Sequence, residues 1–280
     1  MTKNNTYSLT HGRGIGSERL TILNECYNFF STNLLKQIKL SGKIVLEIGC
    51  GIGIFTCEIA KLVGKSGKVI AVDISTKQLE LAQEEAERQN INNIEFIKCS
   101  VFEIEKLNIK VDCVYSRFLL MHLNDPIFIL NQELNCLKIG GYLICSEPIS
   151  NRDFYCYPES QIFEKIKKIF LIQYKIYNTD FAIGQKLPHI LKSLETLLVY
   201  SFIGQAVLST AREKKQFRLA LLEFSEQLIK KNICSIDEIE KNVKMLKKFE
   251  NENHTIGFTR CMEICVKKTK NCQKHLWEKK

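Results

Sequence analysis

The sequence predicts an α/β domain with a doubly wound, mostly parallel sheet of seven strands. Apolar strand-like runs alternate with helical patterns between residues 43 and 147, the first run ends in a glycine-rich turn, and the second ends in an acid. Repeated βα units of this kind form parallel sheets that helices cover on both faces. The predicted strands are Lys43–Ile48, Lys68–Asp73, Ile94–Lys98, Val111–Ser116, Tyr142–Glu147, Thr196–Gly204 and Thr255–Lys267.

Helical patterns fill the intervals between these runs. Ser75 has the side chain of an N-cap, and Asp125-Pro126 opens a further helix that is predicted to stop at Gly140-Gly141. Apolar residues at helical spacing predict more helices within residues 7–40, 160–177, 212–231 and 235–251.

The chain shows no internal repeat and no low-complexity linker, which favours one domain over two. Residues 1–40 are predicted to form a lead-in segment with a lid helix, and residues 41–150 the cofactor-binding core. Residues 151–280 are predicted to add substrate-side helices and the last two strands to the same domain. The sequence leaves the oligomeric state open.

Composition excludes several classes of protein. Hydrophobic residues make up 45% of the 280 residues, enough for a sizeable core, and no apolar stretch is long enough to span a membrane. The polar first residues lack the apolar segment of a signal peptide, so a cytoplasmic protein is expected. Twelve cysteines are then expected to be reduced. Cys261, Cys265, Cys272 and His275 match no common zinc module, so no metal site is predicted.

The net charge of +9 is confined to the second half of the chain. The first 150 residues carry 16 basic and 16 acidic side chains, so the whole surplus follows them. Such a surplus can attract nucleic acid or an acidic membrane surface, and it can equally be a solvated tail.

The most specific motif is Glu47-Ile48-Gly49-Cys50-Gly51-Ile52-Gly53, which is followed by Asp73 at the end of the second run. Glycines let the backbone approach a nucleoside-bearing cofactor, and the acid accepts hydrogen bonds from a ribose. The third glycine comes one residue earlier than in a dinucleotide site, and Glu47 would repel a pyrophosphate. An NAD-dependent oxidoreductase is therefore a disfavoured alternative.

Five segments in order resemble the class I S-adenosylmethionine-dependent methyltransferases, which have a Rossmann-like sheet. The likeness covers about residues 40–150, and residues 115–126 resemble the branch that acts on small molecules. The upstream pattern Tyr7-x-x-x-His11 and the segment Glu18-Arg19-Leu20 resemble a lead-in segment of some members. The segments are residues 47–53, Asp73, residues 96–103, residues 112–118 and residues 137–143.

This resemblance implies S-adenosylmethionine as the cofactor and gives the motif residues roles. The turn Gly49-Cys50-Gly51-Ile52-Gly53 would pass beneath the methionine and ribose of the cofactor, and Glu47 would orient the turn and the amino group. Asp73 would accept both ribose hydroxyls. The remaining implied contacts are Ile74 with the adenine face, Ser100 and Val101 with the adenine edge, Ser116 and Arg117 with the methionine end, and Tyr7 and His11 as a lid.

One position departs from the family pattern. Many members have an acid where this chain has Ser100, and a neutral acceptor makes a weaker hydrogen bond to the adenine amino group. Cofactor binding is expected to persist with some loss, or with Glu103 as a substitute.

Methyl transfer needs a general base only when the acceptor arrives protonated, and the chain shows no conspicuous triad. His122 and Glu147 are the candidate bases. Residues 116–119 lack the tetrad of amine-directed nucleic-acid methyltransferases, and no proline precedes a cysteine, which favours a small organic acceptor. An RNA-directed methyltransferase and a non-catalytic cofactor-binding module remain alternatives. The rings that can roof an apolar pocket are Phe163, Phe170, Tyr174, Phe217 and Phe224.

Overall fold

The computed structural model describes residues 14–150 and 152–272, without the side chains of residues 173–175. The strands are β1 (Ile44–Ile48), β2 (Lys68–Asp73), β3 (Ile94–Lys98), β4 (Val111–Arg117), β5 (Leu137–Pro148), β6 (Tyr155–Tyr157), β7 (Leu197–Leu208) and β8 (Thr255–Lys267). The helices are α1 (Ile15–Lys36), α2 (Ile54–Val63), α3 (Thr76–Arg88), α4 (Pro126–Cys136), α5 (Gln161–Ile176), α6 (Ile183–Ser193), α7 (Ala211–Lys230) and α8 (Ile236–Phe249).

The strands form one mixed sheet, which confirms the predicted α/β, mostly parallel architecture. Its order is β3-β2-β1-β4-β5-β8, with β1 to β5 parallel and β8 antiparallel to β5. Both β6 and β7 pair with β8 in the antiparallel sense. The prediction of seven strands misses β6, whose three residues are too few for a periodic signal.

The topology places a crevice at the carboxyl ends of β1 and β4. From β1 the chain moves outward to β2 and β3, and it then returns to the other side of β1 as β4. The chain segments that follow β1 and β4 run in opposite directions, which leaves a gap between them. Open α/β sheets bind ligands at such a switch point.

The sequence predicted that a helix stops at the glycine pair 140–141, but the structure places this pair within strand β5. Helix α4 ends at Cys136, and Leu137 already pairs with Val111 as the first residue of β5. The register then shifts before Tyr142. A Cβ on Gly141 would lie 3.0 Å from the carbonyl oxygen of Asp112, so the glycine permits the close strand approach at this bulge.

Helices α1 and α7 lie side by side over the crevice. The Tyr27 hydroxyl on α1 donates a 2.6 Å hydrogen bond to the carbonyl oxygen of Thr259 on β8, which ties the helix to the sheet. Arg19 on α1 forms a buried ion pair with Glu223 on α7. We propose that the described parts of residues 1–40, 41–150 and 151–280 form one domain, because α1 is hydrogen-bonded to β8 and β8 pairs with β5 of the core.

All twelve cysteines lie in the described part of the chain and are free thiols. Cys261 and Cys265 are fully buried in β8, and His275 lies outside the described residues. Within the described residues, no cluster of three histidine, cysteine or acidic side chains is arranged to hold a metal ion. In that same part, no helix is long and apolar enough to cross a membrane.

Candidate active site

The glycine-rich turn after β1 is anchored on the end of β2. The backbone N–H groups of Gly49 and Cys50 both donate to the carbonyl oxygen of Val72, at 2.8 and 3.0 Å. Gly51 has a φ of +56° and Gly53 a φ of +75°, in the left-handed region that favours glycine. A Cβ on Gly53 would lie 2.6 Å from the Cβ of Ala82, so this glycine lets α2 and α3 pack closely.

Asp73 fixes the turn from the end of β2. Its Oδ2 accepts a 3.0 Å hydrogen bond from the N–H of Gly51, and its Oδ1 accepts a 2.9 Å bond from the N–H of Ser75. Each carboxylate oxygen can accept a second hydrogen bond, and Asp73 lines a cavity at the carboxyl ends of the strands. Asp73 therefore fixes the turn and also forms part of the cavity wall.

Glu47 contributes a buried carboxyl group to the same cavity. Burial raises the pKa of this group to about 7, against the opposing effects of the Thr56 hydroxyl and of Arg117. Among the described residues, Glu47 Oε2 has no hydrogen-bond partner. Such an atom is costly to bury without a donor, so this position favours a ligand that brings a donor or a positive charge.

Arg117 and Ser116 point in different directions at the end of β4. The Arg117 guanidinium donates to Asn24 at 2.6 Å and to Asn28 at 3.0 Å, and it lies 4.5 Å above the ring of Phe55. Arg117 lines the cavity, whereas Ser116 is fully buried and does not. Alternation of side chains along a strand explains why only one of the two predicted residues faces the cavity.

The residues predicted to surround adenine lie on one side of the cavity. Ile74 lines it with 51% of its side chain exposed, and Ser100 and Val101 line it beside Ile74's loop. The Ser100 hydroxyl caps a 3₁₀ turn by accepting from the N–H of Phe102. Glu103, the suggested substitute, is instead exposed and paired with Lys106. Tyr7 and His11 lie outside the described residues.

The two predicted bases occupy different surroundings. His122 ends a 3₁₀ turn, rather than lying within a longer helix, and it lines the cavity. Glu147 is fully buried and does not line it. The Glu147 carboxyl accepts hydrogen bonds from the N–H groups of Leu119 and Leu120, both at 2.8 Å, and Met121 at 3.3 Å. Glu147 therefore positions the loop after β4 and, contrary to the sequence prediction, does not lie on the cavity wall where a base would act.

The cavity has a volume of about 350 Å³ and extends from the glycine turn to an aromatic compartment under α1 and α7. Of the predicted roof, Phe170, Phe217 and Phe224 line this compartment. Phe163 is instead buried in the core behind Phe217, and the side chain of Tyr174 lies outside the described residues. The compartment is formed by Arg19, Leu20, Leu23, Phe118, Phe170, Tyr177, Gln216, Phe217, Ala220, Phe224, Phe258 and Thr259.

Comparison with known proteins agrees with this geometry. A methyltransferase domain family matches residues 39–279, which is most of the chain. The chain belongs to the class I S-adenosylmethionine-dependent methyltransferases.

Two curated relatives of this methyltransferase illustrate the likeness. A demethylmenaquinone methyltransferase of Lactococcus lactis is 29% identical over 164 residues, 56% of this chain and 64% of the relative. An uncharacterised methyltransferase of Schizosaccharomyces pombe is 33% identical over 123 residues, 42% of this chain and 44% of the relative. The matches thus span about half to two thirds of the length of these relatives.

Solved structures share the fold of this methyltransferase at low identity. The YcgJ protein of Bacillus subtilis superposes with a TM-score of 0.56 at 12% identity, covering 88% of this chain and 99% of that protein. The [4+2]-cyclase SpnF superposes with a TM-score of 0.54 at 13% identity, covering 88% of this chain and 82% of that protein. These likenesses concern the fold alone.

The site of this methyltransferase fits S-adenosylmethionine. That cofactor carries a positive amino group and a sulfonium, and Glu47 lines the cavity with a buried carboxyl group whose Oε2 has no partner in the described chain. Asp73 has acceptor capacity for ribose hydroxyls, and the exposed Ile74 offers an apolar surface to adenine. Opposite charge and matching hydrogen-bond chemistry coincide at one end of the cavity.

The sequence predicted a lid helix in residues 1–40 and roof residues Phe217 and Phe224 on α7, but it did not predict the polar residues that these two helices add to the wall. Arg19 and Asn24 on α1, together with Gln216 on α7, line the cavity. Arg19 lies within the segment Glu18-Arg19-Leu20 that resembles a family lead-in, and Asn24 follows it by four residues; this resemblance was the only signal for them. Gln216 gave none, since a glutamine on an amphipathic helix is normally a surface residue.

Proposed function

We propose that this methyltransferase transfers the methyl group of S-adenosylmethionine to a small organic acceptor. One observation supports it above the others: a single cavity joins the end that carries Glu47 and Asp73 to the aromatic compartment. Two ligands held in one cavity can be aligned for direct displacement, and alignment is the main requirement of this reaction.

Each residue of the site has a distinct role in binding or proton transfer. Asp73 holds the ribose, Glu47 holds the amino group, and the turn from Gly49 to Gly53 supports both. Bound S-adenosylmethionine supplies an already activated methyl group. Helices α1 and α7 exclude water from the compartment, and His122 on the cavity wall accepts a proton when the acceptor arrives as a hydroxyl or ammonium. Tyr7 and His11 stay predicted lid residues.

Two considerations favour a small acceptor. The compartment is lined by side chains of α1, α5 and α7, and Arg19, its one basic side chain in the described wall, is paired with Glu223, which disfavours binding of a phosphate backbone. A curated relative is named for methylation of demethylmenaquinone, which is a small molecule with apolar rings.

The alternative of an NAD-dependent oxidoreductase is disfavoured, because a dinucleotide would bring a pyrophosphate against the carboxyl groups of Glu47 and Asp73. The cytoplasmic location stays a prediction from sequence.

The experiment is transfer of radiolabelled methyl groups from S-adenosylmethionine. The purified chain is incubated with a small-molecule extract or with total RNA, and label is counted in each fraction. We expect label in the small-molecule fraction and none above background with Asp73→Ala. Stronger labelling of RNA that falls steeply with salt would contradict the acceptor class. No labelling of either fraction, despite cofactor binding, would indicate a non-catalytic module.

Binding of S-adenosylmethionine is expected to tighten about tenfold between pH 5.5 and pH 7.0, because the cationic ligand favours ionised Glu47. The pKa of Glu47 is raised to about 7 in the folded protein, so the carboxyl is mostly protonated at the lower pH. Isothermal titration across this range measures the effect. Glu47→Gln is the control and should flatten the profile. A profile that is already flat in the unmodified chain would exclude Glu47 from cofactor binding.

A further inference from the structure

Gln216 is a buried polar residue on the largely apolar wall of the acceptor compartment. The residue is only 4% exposed, and its Oε1 has no hydrogen-bond partner among the described residues. It lies on the face of α7 that also carries Phe217, Ala220 and Phe224, and all four line the cavity. A buried amide oxygen without a donor costs free energy, which a ligand that supplies the donor recovers.

The walls around Gln216 are aromatic rings set at angles to one another. The Phe217 ring lies 5.5 Å from that of Phe258 in an edge-on arrangement and 6.0 Å from that of Phe170. The Tyr177 and Phe224 rings lie 5.6 Å apart. A wall of aromatic rings favours a ligand with an apolar ring of its own, because such a ring can pack against the wall edge-on or face-on.

The compartment carries no unbalanced charge toward such a ligand. Arg19 is the only basic side chain at this end of the described wall, and its guanidinium is paired with Glu223 behind it. Arg117 belongs to the cofactor end, where Asn24, Asn28 and Phe55 hold it. A carboxylate or phosphate on the acceptor would therefore lose its hydration without gaining a free cation.

We propose that the acceptor is an uncharged molecule with a flat apolar ring and a hydroxyl or N–H group that donates a hydrogen bond to Gln216 Oε1. This inference rests on the proposed function, because it takes the aromatic compartment as the acceptor site. It adds a specificity-determining residue on α7, since a ring that lacks the donor leaves the amide oxygen unpaired.

The test uses indole and benzothiophene as probes, because they share a two-ring shape and differ in the N–H donor. Each is titrated calorimetrically into the full chain saturated with S-adenosylhomocysteine, which has no methyl group to transfer. Indole is expected to bind about tenfold more tightly than benzothiophene, the effect of satisfying one buried acceptor. Indole-3-carboxylate is expected to bind more weakly than indole.

The matched variants are Gln216→Met and Asn242→Leu. Both remove a buried amide whose oxygen has no partner in the described chain, but Asn242 lies on α8 and does not line the cavity. Gln216→Met should bring the two affinities within about twofold of each other, and Asn242→Leu should keep the tenfold ratio. If Gln216→Met does not fold, the affinities of indole and benzothiophene for the unmodified chain still test the inference.

The inference would be overturned if the unmodified chain bound indole and benzothiophene with equal affinity, or if it bound neither probe. It would also be overturned if Gln216→Met kept the tenfold preference for indole over benzothiophene, or if indole-3-carboxylate bound more tightly than indole. The preceding titration with S-adenosylhomocysteine reports separately on the proposed function. Cofactor binding with no preference for indole defeats the inference alone, and absence of cofactor binding defeats the proposed function.

Discussion

Replacing Asp73 with alanine is expected to weaken the binding of S-adenosylmethionine by about a hundredfold or more. Asp73 accepts hydrogen bonds from the N–H groups of Gly51 and Ser75, and we propose that it also accepts them from the ribose hydroxyls. Hydrogen bonds to a charged group contribute about 1.5 to 3 kcal/mol each, so the loss of two corresponds to at least about two orders of magnitude in affinity. Isothermal titration measures the dissociation constant.

The matched control is Glu95→Ala, on the neighbouring strand β3. Glu95 is exposed, pairs with Lys68 at 2.7 Å and does not line the cavity. Because exposed ion pairs contribute little, its removal should leave cofactor affinity within about twofold. Thermal unfolding of both variants shows whether they are folded. If Asp73→Ala is folded and binds the cofactor as tightly as Glu95→Ala does, Asp73 is not the ribose anchor.

Replacing Glu147 with alanine is expected to lower the free energy of unfolding by about 3 to 5 kcal/mol, because three backbone donors lose their acceptor. The N–H groups of Leu119, Leu120 and Met121 all point at this carboxyl from the loop after β4. Burial raises the pKa of Glu147 to about 8, yet these donors oppose the rise and make the residue a structural acceptor. Urea unfolding at neutral pH gives the value.

Glu133→Ala provides the comparison, because it deletes the same atoms from another fully buried position. Burial also raises the pKa of Glu133 to about 8, but neither of its oxygens accepts a backbone hydrogen bond in the described chain. Its removal should cost at least about 2 kcal/mol less than that of Glu147. Equal costs for the two variants would mean that the amides after β4 do not depend on Glu147.

The sequence was sufficient for the core because its signals are local. The strand runs, the Ser75 cap and the glycine turn each depend on residues that are close along the chain, and β2, β3 and β8 have the predicted bounds. Asp73 could be placed at the cavity because it ends a strand beside the switch point.

The acceptor side depends on contacts between distant segments, which no single-sequence pattern contains. The Arg19–Glu223 pair joins residues separated by 204 positions. The directions of Ser116 and Glu147 depend on which face of a strand end meets the cavity. A shift of one residue reverses that face, so the sequence could name these positions but could not orient them.

The most direct test of the central claim is a crystal structure of the chain with S-adenosylhomocysteine. We expect both ribose hydroxyls within hydrogen-bond distance of the Asp73 carboxylate, the amino group facing Glu47, and the sulfur directed toward the aromatic compartment of Phe217 and Phe258. A nucleoside bound away from the turn between Gly49 and Gly53, or a sulfur directed away from that compartment, would contradict the account.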